Sequence, residues 1–397
     1  MSSRPDHLHN EALLQWIWET LQFNVQDLTL RDGKKLQILD PGQLNETDGP
    51  DFKQAVLLID NLEWHGDVEL HLKETGWYEH KHHTDPNYNS VILHVVTEDN
   101  SVHPVRREEG THPFHLNLKP YINRDLQYLI ERFHQEREIP CGGTLSFLNS
   151  EVFARQLQKA HREYFEHKVD DLLEWFDPNL LPTEAWKRML VKAYFDGLGI
   201  SHNRSAMRQL FDELYTKAGN KSPLSHLIKK ARKRSGFMAD HETSPPIQWN
   251  RKACRPNNRP EVRVQQACAF MHRVQPLDLH LFIENNPESS WQELIGKIAP
   301  DHTPGTARTR ILFGTVFLPS LYLLGTLWAS DSIKNSALDT WQNLKSPVPK
   351  SLLKRLDKTE INKEIYRHKL GTVYQLREYC DKHRCQNCKV LKSAIST

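Results

Sequence analysis

The stretch EWHGDVELHLK, residues 63–73, alternates polar and apolar side chains and constrains the fold more than any other segment. A period of two is typical of a β-strand with one face toward a core. The apolar face carries Val68, Leu70 and Leu72, and the polar face carries Asp67, Glu69, His71 and Lys73. Such a polar face is either a solvated sheet surface or a set of side chains that binds a metal ion.

Other segments of the first 120 residues complete an α/β layer. An amphipathic helix is predicted for residues 10–23, and strands are predicted for 36–39, 55–59 and 91–96. From residue 121 onward, apolar residues recur at helical spacing and no strong strand pattern is found. The expected architecture is therefore an α/β domain over residues 1–120 followed by an all-α domain over 121–397.

The chain has 397 residues and a formal net charge of only +2, so a nucleic-acid partner has to be argued from local patches. The polar N-terminal stretch contains no secretory signal, which favours a cytoplasmic protein. The apolar run at 311–329 approaches the length of a membrane span, but Pro319 and two glycines interrupt it. We expect a buried core helix there and no membrane partner.

Two acidic residues are positioned to bind a divalent ion on adjacent strands. Asp51 precedes the strand at 55–59, and Glu69 lies on the next strand, which can pair back in antiparallel fashion. Mg²⁺ prefers one or two carboxylates together with water and substrate phosphate. His71 or Lys73, on the same face as Glu69, could orient the attacking water or hold a phosphate. The alternative is that Asp51 serves a tight turn and Glu69 a solvated strand face.

The pattern Pro50-Asp51, a strand, and then Glu69-Leu70-His71 resembles the PD-(D/E)XK nuclease superfamily over about residues 8–100. The resemblance implies the restriction-endonuclease-like fold and a nuclease that depends on Mg²⁺ or Mn²⁺. It also implies a metal-proximal acid on the leading helix, at Glu11; the alternative there is an acid that complements the helix dipole. His71 stands where that superfamily has lysine, and Lys73 is the candidate substitute.

A second resemblance spans nearly the whole chain. Its motifs are GPDFKQA at 49–55, GDVELH at 66–71, VILHVV at 91–96, RPNNRPEVRVQQ at 255–266 and YCDKHRCQNC at 379–388, with Trp77, His80, His82, Asp85 and Tyr88. These are similar to an uncharacterised bacterial family, domain of unknown function 2851. The resemblance implies no activity.

A histidine-rich segment follows the alternating strand. His80, His82, His83 and Asp85 fall within six positions, and His94 lies inside the strand at 91–96. Histidine and aspartate together can bind zinc or support a hydrolytic site. The alternatives are a polar turn and, for His94, an ordinary buried histidine with satisfied hydrogen bonds.

Positive charge concentrates between residues 221 and 265. The Pro- and Asn-rich stretch at 235–261 is predicted to be a long loop, and its basic side chains are Arg251, Lys252, Arg255 and Arg259. Arginine on loop backbone suits phosphate contacts, so these four residues are candidate nucleic-acid ligands. Surface charge or structural ion pairs are the alternative.

Three cysteines, Cys380, Cys385 and Cys388, have C-x4-C-x2-C spacing at the C-terminus. The short C-x2-C turn is a frequent half-site for zinc or an iron–sulfur cluster. His383 or a distant cysteine (Cys141, Cys254 or Cys268) could supply a fourth ligand. The alternative is three free thiols.

The sequence thus leads to three functional hypotheses. The first is a metal-dependent nuclease that hydrolyses phosphodiester bonds in DNA or RNA. The second is a catalytically inactive nucleic-acid-binding or scaffold protein with a nuclease-like fold, favoured by histidine in place of lysine. The third is a zinc hydrolase that uses the cluster from His80 to Asp85.

Overall fold

The computed structural model describes residues 11–99, 104–122, 125–136, 139, 150–215, 223–238, 247–251, 254, 256–357, 359, 361–390 and 392. The chain forms two compact units, residues 1–138 and 139–397. The first contains a mixed sheet and the second is helical, so the predicted succession of α/β and helical regions is confirmed. The boundary lies beyond residue 120 because helix α3, Leu126–Glu136, packs on the core of the first unit through Phe133.

The sheet of the first unit contains both parallel and antiparallel pairs. Its strands are β1 Leu36–Asp40, β2 Gln43–Leu44, β3 Phe52–Ile59, β4 Leu62–Lys73, β5 Val91–Glu98 and β6 Phe114–Asn117. The order is β1-β3-β4-β5-β6, and β2 also pairs with β3. β3 is antiparallel to β1, β2 and β4, whereas β4, β5 and β6 run parallel. β6 was not predicted, because its four residues are too few for a clear alternation.

The β3–β4 hairpin is set by a two-residue turn. Asp60 and Asn61 both have positive φ, at 46° and 65°, and join Ile59 directly to its partner Leu62. This is the backbone conformation that a two-residue hairpin with right-handed strand twist requires. Through a bulge, the pairing then places Phe52 opposite Val68. The consequence is that Asp51 and Glu69, distant in sequence, become neighbours.

The alternation of β4 divides the sheet into an apolar and a polar face. Val68 and Leu70 are buried in one core with Leu14 and Trp18 of helix α1, Glu11–Glu19. Glu69 and His71 point to the opposite face, which the short helix α2, Gly76–Glu79, and the following turns cover. The first face packs in the hydrophobic core, and the candidate functional side chains lie on the second.

The second unit contains twelve α-helices among the residues that the structure describes. They are α4 Ser150–Leu173, α5 Pro182–Leu198, α6 Ile200–Leu214, α7 Leu224–Arg234, α8 Pro260–Val274, α9 Leu281–Glu284, α10 Pro287–Gly296, α11 Thr306–Leu312, α12 Leu318–Leu327, α13 Asp331–Asn343, α14 Lys350–Leu356 and α15 Leu370–Tyr374. Two π-helical segments, Phe313–Phe317 and Gln375–Cys380, continue α11 and α15.

The most apolar run of the sequence lies inside this helical core. Thr306–Leu327 has the length and composition of a membrane span, but 67% of its most apolar window is buried within the protein. Phe313, Phe317 and Leu324 are nearly inaccessible and pack in the main hydrophobic cluster of the unit. This burial is typical of a helix in the core of a protein, as the sequence indicated.

Candidate metal centre

Two carboxylates meet where β3 begins beside β4. The backbone N–H of Asp51 donates to Glu69 Oε2 at 2.9 Å, and the backbone N–H of Leu70 donates to Asp51 Oδ2 at 3.3 Å. The two bonds run between the same two residues in opposite directions across the strands, so the two carboxylates are neighbours. Asp51 and Glu69 are 8% and 4% exposed. Backbone donors therefore hold both acids in place, and Glu69 Oε1 faces the histidines.

Three imidazoles have ring nitrogens close to Glu69 Oε1 or to a nitrogen of a neighbouring imidazole. His82 Nε2 lies 3.1 Å from Glu69 Oε1, and His71 Nε2 lies 3.6 Å from the same oxygen. His71 Nε2 is also 3.1 Å from His80 Nδ1. One ligand atom from each of the three histidines can be chosen so that all lie within 4.8 Å of one another. We refer to Glu69, His71, His80 and His82 as the histidine–glutamate cluster.

His94 supports the cluster from the adjacent strand. It lies on β5 opposite Glu69 in the β4–β5 register, and its side chain is fully buried. His94 Nε2 is 3.0 Å from His71 Nδ1, so the two nitrogens share one proton and the Nε2 of His71 points into the cluster. In metal sites, such an outer partner fixes the orientation of the ligating imidazole.

Packing fixes the other two sides of the cluster. The ring of His82 stacks on Tyr88 with centroids 3.7 Å apart, and the Tyr88 hydroxyl donates to the Gly49 carbonyl at 3.2 Å. Gly76 passes close over His71, where a Cβ would lie 2.6 Å from His71 Cδ2. His80 is the exposed member and faces the open side of the cluster.

Burial keeps the inner imidazoles neutral. Burial, followed by the charges of His82 and His80, lowers the pKa of His71 to about 3. Burial and the neighbouring histidines also lower the pKa of His94 well below its usual value. Neutral imidazole is the form that binds a metal ion, because the lone pair has to be free of a proton. His71 thus presents a neutral imidazole beside the Glu69 side chain at neutral pH.

A second polar group lies on the same sheet face, and a salt bridge accounts for it. Glu74, Asp99 and His115 approach one another closely enough to hold an ion. However, both carboxylate oxygens of Glu74 accept from Arg31 at 2.7 Å, and Asp99 accepts from Arg31 at 2.9 Å and from His115 at 2.6 Å. The guanidinium supplies the positive charge that a metal would bring, so this group is structural.

Other predicted site residues lie at the edge of the cluster or away from it. Lys73 is exposed at the end of β4, in register with Glu98. Asp85 accepts from the backbone N–H of Asn87 at 2.9 Å and caps a 3₁₀ turn. His83 packs on Tyr78. Glu11 begins α1 and is half-buried; its proximity to a metal stays a prediction.

The sequence named Tyr88 only within the family resemblance, and it did not single out Gly76 or His115. Tyr88 and Gly76 position the histidines, and His115 lies opposite His94 in the β5–β6 register. The PNY and TGW turns carry no chemical signature that marks these roles. The alternation of FHLN at 114–117 is the only signal that could have placed His115 on the polar face.

The basic residues of the second unit have different surroundings. Arg251 forms an ion pair with Glu261, and its guanidinium lies 5.4 Å from the centroid of the Phe237 ring. Arg259 is exposed immediately before α8. Lys252 and Arg255 lie outside the described residues. Contact of these four residues with nucleic acid stays a prediction.

Two of the three terminal cysteines lie close to the side chain of one glutamine. Cys380 Sγ and Cys388 Sγ are each 3.7 Å from Gln375 Nε2. Within the described part of the chain, no group that includes all three sulfurs has its ligand atoms within 4.8 Å of one another. Cys268 is buried in the main core, where burial raises the pKa of its thiol to about 12; Cys141 lies outside the described residues. Zinc or iron–sulfur ligation by Cys380, Cys385 and Cys388 stays a prediction.

Comparison with known proteins adds a family and no activity. The profile of a family described as "Protein of unknown function (DUF2851)" matches residues 11–230. The match contains the whole histidine–glutamate cluster and ends before the RPNNRPEVRVQQ and YCDKHRCQNC motifs. No curated protein and no solved structure matches the chain.

Proposed function

We propose that this chain, which belongs to the DUF2851 family of proteins of unknown function, is a divalent-metal-dependent hydrolase. Its proposed reaction is the cleavage of phosphodiester bonds in nucleic acid. The observation that carries the proposal is the convergence of Glu69 Oε1 with nitrogens of His71, His80 and His82 on the polar face of the sheet. Solvated polar strand faces do not bury a carboxylate among neutral imidazoles.

The spacing of these atoms fits a tetrahedral ion. Ligands about 2.0–2.1 Å from zinc in tetrahedral geometry lie about 3.3 Å from one another. Three of the six distances among the four residues are close to this value, at 3.1, 3.1 and 3.6 Å. Nitrogen donors favour Zn²⁺ or Mn²⁺ over Mg²⁺, which prefers an all-oxygen octahedral shell. We therefore propose Zn²⁺ or Mn²⁺ as the resident ion.

Each residue of the site has a distinct task in this proposal. Glu69 Oε1 and the three imidazoles would hold the ion, which would take a water molecule or a phosphate oxygen as an additional ligand, lower the pKa of that water and polarise that oxygen. His94 orients His71 through its 3.0 Å contact. Asp51 is fixed beside Glu69 and can accept a proton from the attacking water. Lys73, exposed at the end of β4, is placed to contact a substrate phosphate.

The nucleic-acid substrate rests on the resemblance of Asp51, Glu69 and His71 to the PD-(D/E)XK pattern. Two features of the fold support this part of the proposal: Asp51 immediately precedes β3, whose antiparallel neighbour β4 carries Glu69, and α1 packs against the opposite face of β4. A second candidate is a zinc hydrolase with another substrate, which the three-histidine donor set favours. Both candidates require the same ion and differ in the substrate.

Metal analysis and cleavage assays test the proposal together. The purified protein should contain about one equivalent of Zn²⁺ or Mn²⁺ by mass spectrometry, and His82→Ala should lose it. His83→Ala is the matched control, since His83 is adjacent in sequence but packs on Tyr78. The metal-loaded protein should cleave single- or double-stranded DNA or RNA.

The outcomes separate the hypotheses. Stoichiometric metal without cleavage of any nucleic acid would favour the zinc hydrolase with another substrate. Equal metal content in wild type and His82→Ala would refute the site. A metal-free protein that binds nucleic acid would instead support the inactive binding protein or scaffold.

A further inference from the structure

The helical unit contains a cavity that the proposed chemistry does not use. Its volume is about 240 Å³, and residues of α4, α5, α6, α11, α15 and both π-helical segments line it. Tyr164 and Trp175 contribute aromatic walls, and four basic side chains contribute to its lining: Lys168, Arg204, Arg308 and Arg377. Two acids, Asp171 and Asp196, also line it, so the basic side chains outnumber the acidic ones by two.

The two acids are already paired within the protein. Asp171 forms an ion pair with Lys168, and Asp196 pairs with Arg204 and with Arg208 outside the cavity. Among the residues that the structure describes, Arg308 donates to the Gly197 carbonyl alone, at 3.3 Å. Among the residues that the structure describes, no carboxylate lies within 4 Å of the guanidinium of Arg308 or Arg377. The excess positive charge of the cavity therefore resides on these two arginines.

A buried arginine near Arg308 sharpens the charge imbalance. Arg263 is 6% exposed, and its guanidinium donates to the neutral side chains of Gln266 and Asn258. Its Nε is buried without a hydrogen-bond partner among the described residues. Burial, and next the charge of Arg308, lowers the pKa of Arg263 to about 10. Buried cations without a carboxylate are costly, and an anion beside Arg308 would offset this cost.

The two π-helical segments also meet at this cavity. Thr315 and Val316 of the first segment and Arg377 of the second line it. A π-turn is rare inside an α-helix and is frequent at functional sites, because it turns extra side chains toward one point. Two such turns at one cavity, with unpaired arginines and aromatic walls, are unusual for a packing defect.

We propose that this cavity binds a small phosphorylated organic anion, a phosphomonoester with a single ring system, whose phosphate contacts Arg308 and Arg377. Guanidinium groups match the planar, bidentate hydrogen bonding of phosphate oxygens. The volume lies just below the usual range of ligand pockets, about 300–1,000 Å³, which limits the ligand to about the size of a mononucleotide. The body of the ligand packs against Tyr164 and Trp175. This inference is independent of the metal site.

Calorimetric titration of the full-length protein tests the proposal. The probes are adenosine 5′-monophosphate, ribose 5-phosphate, inorganic phosphate and the uncharged nucleoside adenosine. We expect at least one phosphomonoester to bind more tightly than inorganic phosphate, and adenosine not to bind. Arg308→Gln and Arg377→Gln should each weaken this binding at least about tenfold. Arg310→Gln is the matched control, because Arg310 bonds to the Lys345 carbonyl and does not line the cavity.

Stability of the ligand-free variants separates a ligand site from a structural role. If Arg308 serves a ligand, Arg308→Gln should leave the melting temperature of the ligand-free protein unchanged or raise it, because a half-buried charge without a carboxylate partner among the described residues is removed. Arg377 is exposed, so Arg377→Gln should fold in any case. A lack of binding by every phosphomonoester at millimolar concentration would overturn the proposal. Binding that both variants retain would overturn it as well.

Discussion

Both units of the protein bury histidine, but the ring nitrogens have opposite kinds of partner. In the helical unit, His161 Nε2 donates to the Trp341 carbonyl at 2.9 Å, and Nδ1 accepts from the backbone N–H of Gly371 at 3.0 Å. In the sheet unit, His71 Nδ1 and Nε2 face other imidazoles, those of His94 and His80. His161 is saturated by backbone groups, whereas His71 is surrounded by other potential ligands.

The difference distinguishes a structural histidine from a candidate metal ligand. Two backbone partners select one tautomer of His161 and leave no lone pair for an ion. The indole of Trp341 stacks on the His161 ring and donates back to its carbonyl, which locks the pair. Around His71, no backbone group in the described part of the chain bonds to Nε2, and Glu69 Oε1 lies 3.6 Å away. Burial alone therefore does not identify a candidate metal ligand. The partners of the ring nitrogens distinguish it better from a structural histidine.

The largest expected effect is the loss of chemistry on Glu69→Gln. The amide keeps the shape of the side chain but removes the negative charge that faces His71 and His82. We expect metal-dependent cleavage to fall at least about a hundredfold, because a charged ligand of the ion is lost. Glu63→Gln, on the exposed end of the same strand, is the control and should behave as wild type. Full activity of Glu69→Gln would place the ion elsewhere.

The next largest effect is a loss of stability on replacement of a buried histidine. It should be large in the helical unit and smaller in the sheet unit. His161→Ala leaves the Gly371 N–H and the Trp341 carbonyl buried without their partner and removes the stacked ring. We expect the free energy of unfolding to fall by about 2–4 kcal/mol in urea denaturation.

The matched variant His71→Ala should cost clearly less in the metal-free protein, because it removes one of several imidazoles that face one another. It should nevertheless abolish stoichiometric metal binding, which His161→Ala should leave intact. Equal losses of stability in the two variants would erase the distinction between the two histidine environments.

A smaller effect is expected for His94, which contacts His71 but belongs to the outer layer of the site. His94→Phe keeps a ring of similar size and removes the partner of His71 Nδ1. We expect the affinity for Zn²⁺ or Mn²⁺ to fall about 10- to 100-fold, as for other outer partners of metal ligands. Competition with a chelator of known affinity measures this change. Unchanged affinity would assign His94 to packing alone.

Acid should lower the free energy of unfolding. Burial lowers the pKa of His161 below that of an exposed histidine, so below pH about 6.5 the unfolded chain binds a proton that the folded chain rejects. The stability that neutral His161 provides is thus present above that pH and is lost as the pH falls. The slope contributed by one such group is at most about 1.4 kcal/mol per pH unit.

Denaturation of the metal-free protein at several pH values measures this slope. His161→Phe should flatten the dependence, since phenylalanine does not titrate. Because His71 and His94 also have lowered pKa values, part of the slope should persist in that variant. A slope of opposite sign, or one that His161→Phe leaves unchanged, would contradict the role given to His161.

Local patterns predicted the scaffold of the site better than its details. The alternation at 63–73 and the apolar runs at 55–59 and 91–96 fix strands and faces, because side chains along a strand alternate with a period of two. They placed Glu69 and His71 on one polar face, as the structure has them. The sequence also indicated His80 and His82 as possible support of the site, and the structure brings both to that face.

Non-local pairing explains what the sequence did not predict. His94 and His115 become neighbours only through the parallel registers of β4, β5 and β6, which depend on crossovers that no local motif records. The salt bridge of Arg31 with Glu74 joins residues from different loops and strands and neutralises a second acidic group. The choice between a metal site and an ion-paired site was therefore not available from spacing alone.

The smallest expected effect concerns the helical unit and tests whether it contributes charge to nucleic-acid binding. Arg251 is engaged by Glu261, whereas Arg259 is exposed at the start of α8, so the two arginines differ in their availability to a phosphate. Each phosphate contact adds about 0.7–0.9 to the slope of log affinity against log salt concentration. Arg259→Ser should reduce the slope by about that amount, and Arg251→Ser should reduce it less.

Fluorescence anisotropy with labelled DNA and RNA at several salt concentrations measures both slopes. Because a surface phosphate contact is independent of the buried donors of the sheet unit, metal content should stay the same in both variants. Equal slopes in wild type and Arg259→Ser would assign this basic stretch to the structure of the helical unit.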